Sequence, residues 1–500
     1  MDGGYTLGTS CMGRRRTKVG ISLATSRRRQ AASLSRRELR QRSFVAKRRV
    51  LTNSAASTGS LESALSGLKQ CVDDCSSAER VALALQSLQS LRALLTAASD
   101  ELALDAVVAS GVVPFLAALV EHPTADSLRI EACWCLANIA AGDGQHAHAI
   151  LPAAEIMVRI VSAGAGTPAS LIDAAVWCIG NLAAEEDATR GSLLRLGAVA
   201  PIVRITADAS VSLSTTRMAA WSLSNLARTR PAGSDGAEGI GRIFSESGAI
   251  SALVLLLQRA LSSAVMASEE TRAECARVAS EVAWAMMFLS AQLPLSSSLL
   301  QSQGALPLLI QLLLNSTILC GPHVNEQARV LLPTLRCLGN AIGSAASTEA
   351  RDGSAFSIAA APGVLPKLFE LLTLGTPASL TAIAAAGDVA VIGGGLSGHG
   401  AHRWLCMDAA WVVGQLAAVH DPELTIISAL AKAGFIPILA HILSEAPFDI
   451  SRRAAFALRN MCCTHAAPSG VSLAVVEAAV RHGAVQPFLR SVQTHFSGLM

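Results

Sequence analysis

The chain has 500 residues, of which 51% are hydrophobic and 15% are charged, and its mean hydropathy is +0.44. This composition excludes a wholly disordered chain, which would combine low hydrophobicity with high net charge. Only 4% of the residues are aromatic, so a large β-sandwich or β-barrel is also disfavoured.

The chain begins with a strongly basic arm. Residues 1–50 hold 14 of the 40 Lys and Arg residues but only 2 of the 37 Asp and Glu residues, a balance of +12. The other 450 residues carry 26 basic and 35 acidic groups, a balance of −9. Such an arm can bind nucleic acid, an acidic lipid surface, an acidic protein or its own body. No aromatic residues alternate with the arginines to stack on bases, so we expect no nucleic-acid partner.

After a predicted linker over 54–77, a Trp–Asn motif recurs at intervals of 43 and 44 residues. Weaker copies follow, with Phe288, Arg336, Gln415 or Phe456 replacing one member of the pair. The motif begins at Trp134, Trp177 and Trp221, and its weaker copies begin at Trp284, Arg336, Trp411 and Phe456.

A second marker, a Gly that precedes an apolar run, recurs in step with the first. Between the markers the apolar residues have helical spacing, which predicts two or three helices in each unit. Because no unit could bury its apolar face alone, neighbouring units must stack. The sequence therefore predicts an all-α, right-handed superhelical α-solenoid over 78–500, with loop insertions near 230–240, 258–272 and 374–403. The marker glycines are Gly111, Gly197, Gly248, Gly304, Gly363, Gly434 and Gly483.

Residues 282–325 contain no Asp, Glu, Lys or Arg, a pattern that a membrane span could also show. Pro294, Gln303 and Pro307 interrupt this stretch, so we interpret it as buried solenoid helices and expect no membrane association. Five of the twelve cysteines lie within apolar runs, which is typical of a reducing compartment. They are Cys133, Cys135, Cys178, Cys275 and Cys337. No zinc-site spacing, Walker loop or nucleophile elbow is present, so we expect no metal, no cofactor and no enzymatic activity.

Trp at position i and Asn at i+4 share one helix face, so stacking should align the pairs in a row about 10 Å apart. An Asn amide can hold an extended peptide by its backbone, and gaps between neighbouring indoles could accept the stems of Lys or Arg. Asp173, Glu185, Glu281 and Asp408 lie close enough to the motif to pair with the cationic ends. The alternative is that each Trp is a core residue and each Asn bridges helices.

The basic arm contains an Arg run at 27–29, a Glu38-Leu-Arg phrase and a Lys-Arg-Arg triplet at 47–49. With these motifs, residues 1–53 resemble the importin-β-binding segment of the importin-α family. We call the residues at the Trp and Asn positions of the recurring motif the ladder residues. Their order also resembles this family, with Trp–Asn in repeats two to four, Trp–Phe in repeat five and Arg–Asn in repeat six. The resemblance implies about eight to nine armadillo repeats. The basic residues that carry it are Arg27, Arg28, Arg29, Arg36, Arg37, Arg40, Lys47, Arg48 and Arg49.

The resemblance implies a nuclear import adaptor that shuttles between cytoplasm and nucleus, binds basic localisation signals and links them to importin-β. The triplet Lys47-Arg48-Arg49 could instead occupy the groove as a mimic of the signal. The region after Gly483 lacks the acidic tail that serves the nuclear export receptor in the family. Binding of that receptor is therefore the weakest of the expected partnerships. The major groove would be formed by Trp134, Asn138, Gly142, Trp177, Asn181, Glu185, Trp221 and Asn225, next to Asp173, Glu281 and Trp284.

A minor groove would be formed by Arg336, Asn340, Asp408, Trp411 and Asn460. It departs from the family pattern at Gln415, Phe456 and Arg453, the last of which stands where an acid is expected, so we expect one-site cargo binding. The phrase Glu281-Val-Ala-Trp284 and two others also resemble an importin-α-like family named for transmembrane and coiled-coil domains. That likeness leaves open an armadillo scaffold or membrane-associated protein with no role in import.

Overall fold

The computed structural model describes residues 61–70, 77–97, 101–122, 125–164, 166–228, 234–292, 302–345, 353–376, 398–419, 421, 423–463 and 470–489. Within these ranges the regular secondary structure is α-helical, apart from a short 3-10 turn at Leu151–Ala153, and no strand occurs. The arm and its nine basic residues lie outside the described part of the chain.

Eight helices stack in chain order, each packed against the next, and form the inner series. They contain the recurring Trp–Asn motif from the second helix onward. They are α1 (Ala78–Ala97), α2 (Asp126–Ile139), α3 (Ala169–Ala184), α4 (Leu213–Leu226), α5 (Glu269–Gln292), α6 (Val324–Ala345), α7 (Gly398–Leu416) and α8 (Phe448–Cys462).

A second layer of helices covers the back of the inner series, one helix for each member. Apolar residues dominate both layers, so the core is a continuous slab between them. The second layer comprises Leu61–Lys69, Val113–Val120, Ala154–Ala163, Val199–Ala207, Ala249–Ala264, Ala305–Leu314, Val364–Thr373 and Phe435–Glu445.

Short helices at one edge lead into the second layer, mostly through a turn at a marker glycine. Gly144–Ile150 is an exception, since it continues through the 3-10 turn Leu151–Ala153. All seven marker glycines have positive φ, between 72° and 88°, a conformation that residues with a Cβ rarely adopt. The edge helices are Glu101–Ala109, Gly144–Ile150, Asp187–Arg195, Ser234–Glu246, Gly353–Ala360, Thr425–Lys432 and Gly470–Arg481, and Ser316–Cys320 is an extra turn in repeat six. The predicted all-α solenoid is confirmed.

The expected boundaries need correction. The predicted linker over 54–77 contains helix Leu61–Lys69, which packs against α1 because its buried face, including Leu68, belongs to the same core. The expected loop near 258–272 is mostly helical: Ala249–Ala264 and α5 leave only a short connection between them. Near 230–240, helix Ser234–Glu246 already begins, and most of 374–403 lies outside the described residues.

The cysteines singled out in apolar runs are core residues. Cys133, Cys178 and Cys337 are fully buried, and this burial raises the pKa of each thiol. In the described part of the chain, no single helix is long and apolar enough to cross a membrane, although three strongly bent helix pairs pass by length and composition. The described residues contain no group of three or more potential metal ligands.

Candidate peptide-binding site

The indoles of repeats two to four form one continuous row along the inner series. The ring centroids of Trp134 and Trp177 are 5.7 Å apart, and those of Trp177 and Trp221 are 6.0 Å apart. Each of the three side chains is 6–9% exposed, so only ring edges reach the surface. We call these three residues the indole row.

This geometry corrects the expected gaps between neighbouring indoles. A methylene stem needs about 3.5–4.0 Å to a carbon on each side, so two rings about 6 Å apart and inclined to each other leave it no room. A ligand side chain would therefore lie across the exposed edges of the indole row.

The ring of Trp221 approaches its neighbour closely because it leans over the preceding helix. A Cβ on Gly180 of α3 would lie 2.1 Å from the ring of Trp221, so the ring occupies the space that a side chain would fill. The same contact recurs between Gly339 and Trp411, where the distance would be 2.4 Å. Helix spacing alone does not reveal this, because the lean of the ring carries it onto its neighbour.

The ladder asparagines cross-link successive repeats. The Asn181 amide donates to the carbonyl of Ala137 at 2.7 Å, and the Asn225 amide donates to the carbonyl of Gly180 at 2.8 Å. In each case the acceptor lies three residues after the ladder Trp of the preceding repeat. Asn460 donates to the equivalent carbonyl of Gly414 at 2.8 Å.

Bridging of helices was the alternative interpretation of these asparagines, and the structure shows that they do bridge. Asn138, Asn181 and Asn225 are at most 4% exposed, so they are not open clamps on the surface. Each bridge nevertheless uses only part of an amide. The Oδ1 atom of Asn225 is buried and has no hydrogen-bond partner among the described residues, so one acceptor beside the indole row remains unused.

Asp173 supplies a second unused acceptor on α3, one turn before Trp177. Its carboxylate accepts a hydrogen bond from the Thr215 hydroxyl of α4, while Oδ1 is buried without a partner among the described residues. Burial raises the pKa of Asp173 above its usual value of 3.8, and the Thr215 hydrogen bond opposes that shift only in part. Asp173 is therefore a partly desolvated carboxylate that has no cationic partner among the described residues.

Two other acids near the row are already paired within the chain. Glu131 lies 3.1 Å from Arg92, and burial raises its pKa despite that arginine. Arg217 of α4 pairs with Glu274 of α5 at 2.7 Å. Burial alone would raise the pKa of Glu274, but Arg217 and Arg277 together hold it below its usual value.

The remaining predicted residues of the major groove flank the indole row. Glu185 follows α3 directly and is half-buried, and its backbone carbonyl accepts a hydrogen bond from Arg190. Glu281 is half-buried on α5. Gly142 lies in the turn after α2, where a Cβ would come within 2.6 Å of the His146 ring, so close packing alone accounts for this glycine.

In repeats five to seven, an arginine of the chain itself occupies the position beside the indoles where a cation of the ligand was expected. The guanidinium of Arg336 lies 5.7 Å from the ring centroid of Trp284 and 5.9 Å from that of Trp404. Its Nε donates to Asp408 at 2.5 Å, and both side chains are only 11–12% exposed. Trp284 also stacks on Phe288, with centroids 6.0 Å apart.

The other residues of the predicted minor groove have structural contacts. Asn340 is half-buried and donates to the carbonyl of Met287 at 3.3 Å and to Ser290 at 3.2 Å. Trp411 is 4% exposed and packs on Gly339. The indole of Trp404 was missed by sequence reasoning, although its position seven residues before Trp411 places it on the same helix face.

Comparisons with known proteins agree with the helical repeat architecture. Residues 100–141 match the family model of the armadillo/β-catenin-like repeat. Importin subunit alpha-9 of Arabidopsis thaliana is 29% identical over 459 residues, which cover 87% of this chain and 75% of that protein. Importin subunit alpha-2 of Oryza sativa subsp. japonica is 27% identical over 418 residues, covering 82% of this chain and 66% of that protein. Over most of its length the chain is similar to importin subunit alpha proteins.

As an importin-α relative, the chain spans 66–75% of the length of these two proteins. The crystal structure of an engineered protein shows the same fold, with a TM-score of 0.53 and 20% identity over 85% of this chain and 94% of that one. The predicted resemblance to the importin-α family is thus confirmed, whereas the roles of individual groove residues stay predictions.

Proposed function

We propose that this importin-α relative is a nuclear import adaptor, which binds a Lys- or Arg-rich segment of a cargo protein across repeats two to four. Its basic arm would attach the complex to importin-β. The relatives named importin subunit alpha support the adaptor role. The arm's contribution rests on its sequence resemblance to the importin-β-binding segment.

The observation that carries the proposal is the unused acceptor of Asp173 beside the indole row. Asp173 Oδ1 on α3 has no partner among the described residues. Asn225 Oδ1 on α4 is a second such acceptor, but it lies about 10 Å further along the helices, since the Asn225 amide reaches Gly180, seven residues after Asp173. Leaving a buried acceptor unmatched costs about 1–3 kcal/mol. A lysine ammonium has three donors and no acceptor, so it complements this site in both charge and hydrogen-bonding sense.

The indole row sets how the peptide would lie. Since the rings leave no gaps, an extended strand would run across their edges, with its methylene stems packed on ring carbon and its cations directed to Asp173. An extended chain advances about 3.3 Å per residue, so successive indoles 5.7–6.0 Å apart meet about every second residue of the strand. The site would then select for charge and extension more than for a particular sequence.

The test is fluorescence anisotropy of a labelled Lys-rich nonapeptide with the full chain and its Asp173→Asn variant. We expect the variant to bind roughly 10- to 100-fold more weakly, the effect of losing a hydrogen bond to a charged group. Glu155→Gln is the matched control, because Glu155 is 67% exposed on a second-layer helix and should leave affinity unchanged.

The pH dependence gives a second readout. Because the pKa of Asp173 is raised, the carboxylate should become neutral at a pH above its usual range, and affinity for the peptide should fall as pH decreases through that pKa. In Asp173→Asn this contribution should be absent. An armadillo scaffold without a cargo role, the second candidate, would bind the Lys-rich peptide no better than an uncharged peptide of equal length.

A further inference from the structure

We propose that the inner surface of repeats six to eight binds an extended acidic peptide. This surface comprises the exposed faces of α6, α7 and α8. The proposal concerns a different part of the chain from the Lys-binding site above and does not depend on it.

The first observation is a reversal of charge along the inner series. Helices α2 to α5 contain seven acidic and four basic residues, whereas α6 to α8 contain three acidic and six basic residues. Since like charges repel and opposite charges attract across a docking surface, the second half of the series disfavours a basic strand and favours an acidic one.

The second observation is that the position between Trp284 and Trp404, where a cation of a ligand could bind, is already occupied. Arg336 lies between Trp284 and Trp404 and pairs with Asp408. An incoming lysine would have to displace a guanidinium that is 12% exposed, which would leave a buried charge uncompensated.

The third observation concerns the ladder positions of repeat eight. Arg452 precedes Phe456 by four residues, the position that Asp173 holds relative to Trp177, and it is exposed. Arg453, at the next position, is half-buried and lies within electrostatic range of Asp408 and Asp449. Where repeat three presents a carboxylate to a strand, repeat eight presents two guanidinium groups.

The fourth observation concerns hydrogen-bonding groups that are buried without a partner among the described residues. In repeats three and four these groups include acceptors, whereas in repeats six to eight they include arginine donors. Nε of Arg453 and Nη1 of Arg336 are buried and have no hydrogen-bond partner among the described residues. Asp449 offsets them in part, since its Oδ2 accepts from Arg403 at 2.6 Å while its Oδ1 has no partner. A peptide carboxylate could accept from the guanidinium of Arg453 and from Arg452, in the charge-assisted arrangement that arginine favours.

A peptide fits this surface better than a nucleic acid does. Trp404 is covered by Arg336 on one side and Trp411 is packed on Gly339, so these rings offer little surface on which bases could stack. Asn340 ties α6 to α5 and Asn460 ties α8 to α7, so the helices that line this surface belong to one regular stack.

The experiment measures anisotropy of three labelled probes with the full chain: a Glu-rich nonapeptide, its Lys-rich counterpart and a single-stranded oligonucleotide of equal negative charge. Arg453→Gln should weaken the Glu-rich peptide roughly 10-fold or more, the scale of a lost hydrogen bond to a charged group. Arg452→Gln should weaken it less, because Arg452 is exposed and its ion pair would be screened by solvent. Arg195→Gln, an exposed arginine on the edge helix Asp187–Arg195, is the control for loss of one positive charge.

Asp173→Asn separates this proposal from the proposed function. It should leave the Glu-rich peptide unaffected, and the two arginine variants should leave the Lys-rich peptide at repeats two to four unaffected. Circular dichroism melting identifies any variant that has unfolded, and Arg453→Lys, which keeps the charge, should retain part of the affinity. Equal binding of the Glu-rich peptide by Arg452→Gln, Arg453→Gln and Arg195→Gln would overturn the proposal, as would tighter binding of the oligonucleotide than of the peptide.

Discussion

At the scale of single residues, Gly180 shows how a missing side chain positions an aromatic one. The ring of Trp221 occupies the volume that a Cβ would fill, and the carbonyl of Gly180 accepts the Asn225 amide. One residue thus receives both ladder side chains of the following repeat. The sequence shows a glycine before the ladder Asn in repeats three and six. That the indole of the next repeat packs against this glycine depends on contacts between repeats, which the sequence does not show.

Replacement of Gly180 by Ala should destabilise the chain by about 1–3 kcal/mol, the usual cost of overpacking a core. The new Cβ would lie 2.1 Å from the Trp221 ring and 2.6 Å from the Ser222 hydroxyl, so the indole would have to move. This cost exceeds the roughly 0.5–1 kcal/mol that Ala gains over Gly inside a helix. Chemical denaturation measures the change in free energy of unfolding.

Gly191→Ala is the control for that prediction. Gly191 lies within the edge helix Asp187–Arg195, and the nearest atom to its new Cβ would be Nη1 of Arg195 at 3.5 Å, an ordinary contact. It should therefore stabilise the chain by about 0.5–1 kcal/mol. If Gly180→Ala were stabilising as well, the close packing of Trp221 on α3 would be disproved.

At the scale of helices, Arg336 joins three members of the inner series. It projects from α6, contacts Trp284 of α5, and reaches Trp404 and Asp408 of α7. A buried ion pair need not exceed an apolar substitute in stability, but removing one partner alone is costly. The pair therefore fixes how these helices sit relative to one another.

Asp408→Leu should lower the free energy of unfolding by about 3–5 kcal/mol, because it leaves the Arg336 charge buried and uncompensated. Adding Arg336→Met should restore much of this loss, since an apolar pair of similar size needs no solvation. The coupling energy from the double-mutant cycle measures the interaction.

An exposed ion pair provides the comparison for that cycle. Arg242 and Glu246 are 3.9 Å apart and more than 70% exposed, so Glu246→Gln should cost less than about 1 kcal/mol. Additive effects of Asp408→Leu and Arg336→Met would show that the two side chains do not depend on each other.

At this scale, the sequence predicts the features that depend on periodicity within one helix. The period of the Trp–Asn motif and the marker glycines predicted the inner series, the turns and the shared face of Trp177 and Asn181. Contacts between helices could not be predicted in the same way. The lean of the indoles and the capture of Arg336 by Trp404 depend on how far each repeat is rotated against the last, which no single-helix spacing encodes.

At the scale of the whole molecule, charge separates the chain into a basic arm and a body whose inner surface changes sign along its length. The arm carries a balance of +12 over residues 1–50, against −9 for the rest. An attached segment acts at an effective concentration that can reach the millimolar range for a short flexible connection. Even a weak match between Lys47-Arg48-Arg49 and the site at Asp173 would then compete with cargo.

Removal of residues 1–53 should therefore raise affinity for the Lys-rich nonapeptide, by several-fold or more, because the peptide no longer competes with an attached cationic segment. Replacing Lys47, Arg48 and Arg49 with Ala in the full chain should give most of the same gain if the triplet is the competitor. Anisotropy at low and at high salt measures both effects, and the gain should shrink as salt screens the arm.

The site of that competition is tested by combining changes. In Asp173→Asn, removal of the arm should raise affinity much less than in the unmodified chain, since arm and peptide would share the same carboxylate. An equal gain in both backgrounds would place the arm elsewhere on the body. Because α6 to α8 carry an excess of positive charge, such a site would have to lie among the acidic side chains outside those three helices.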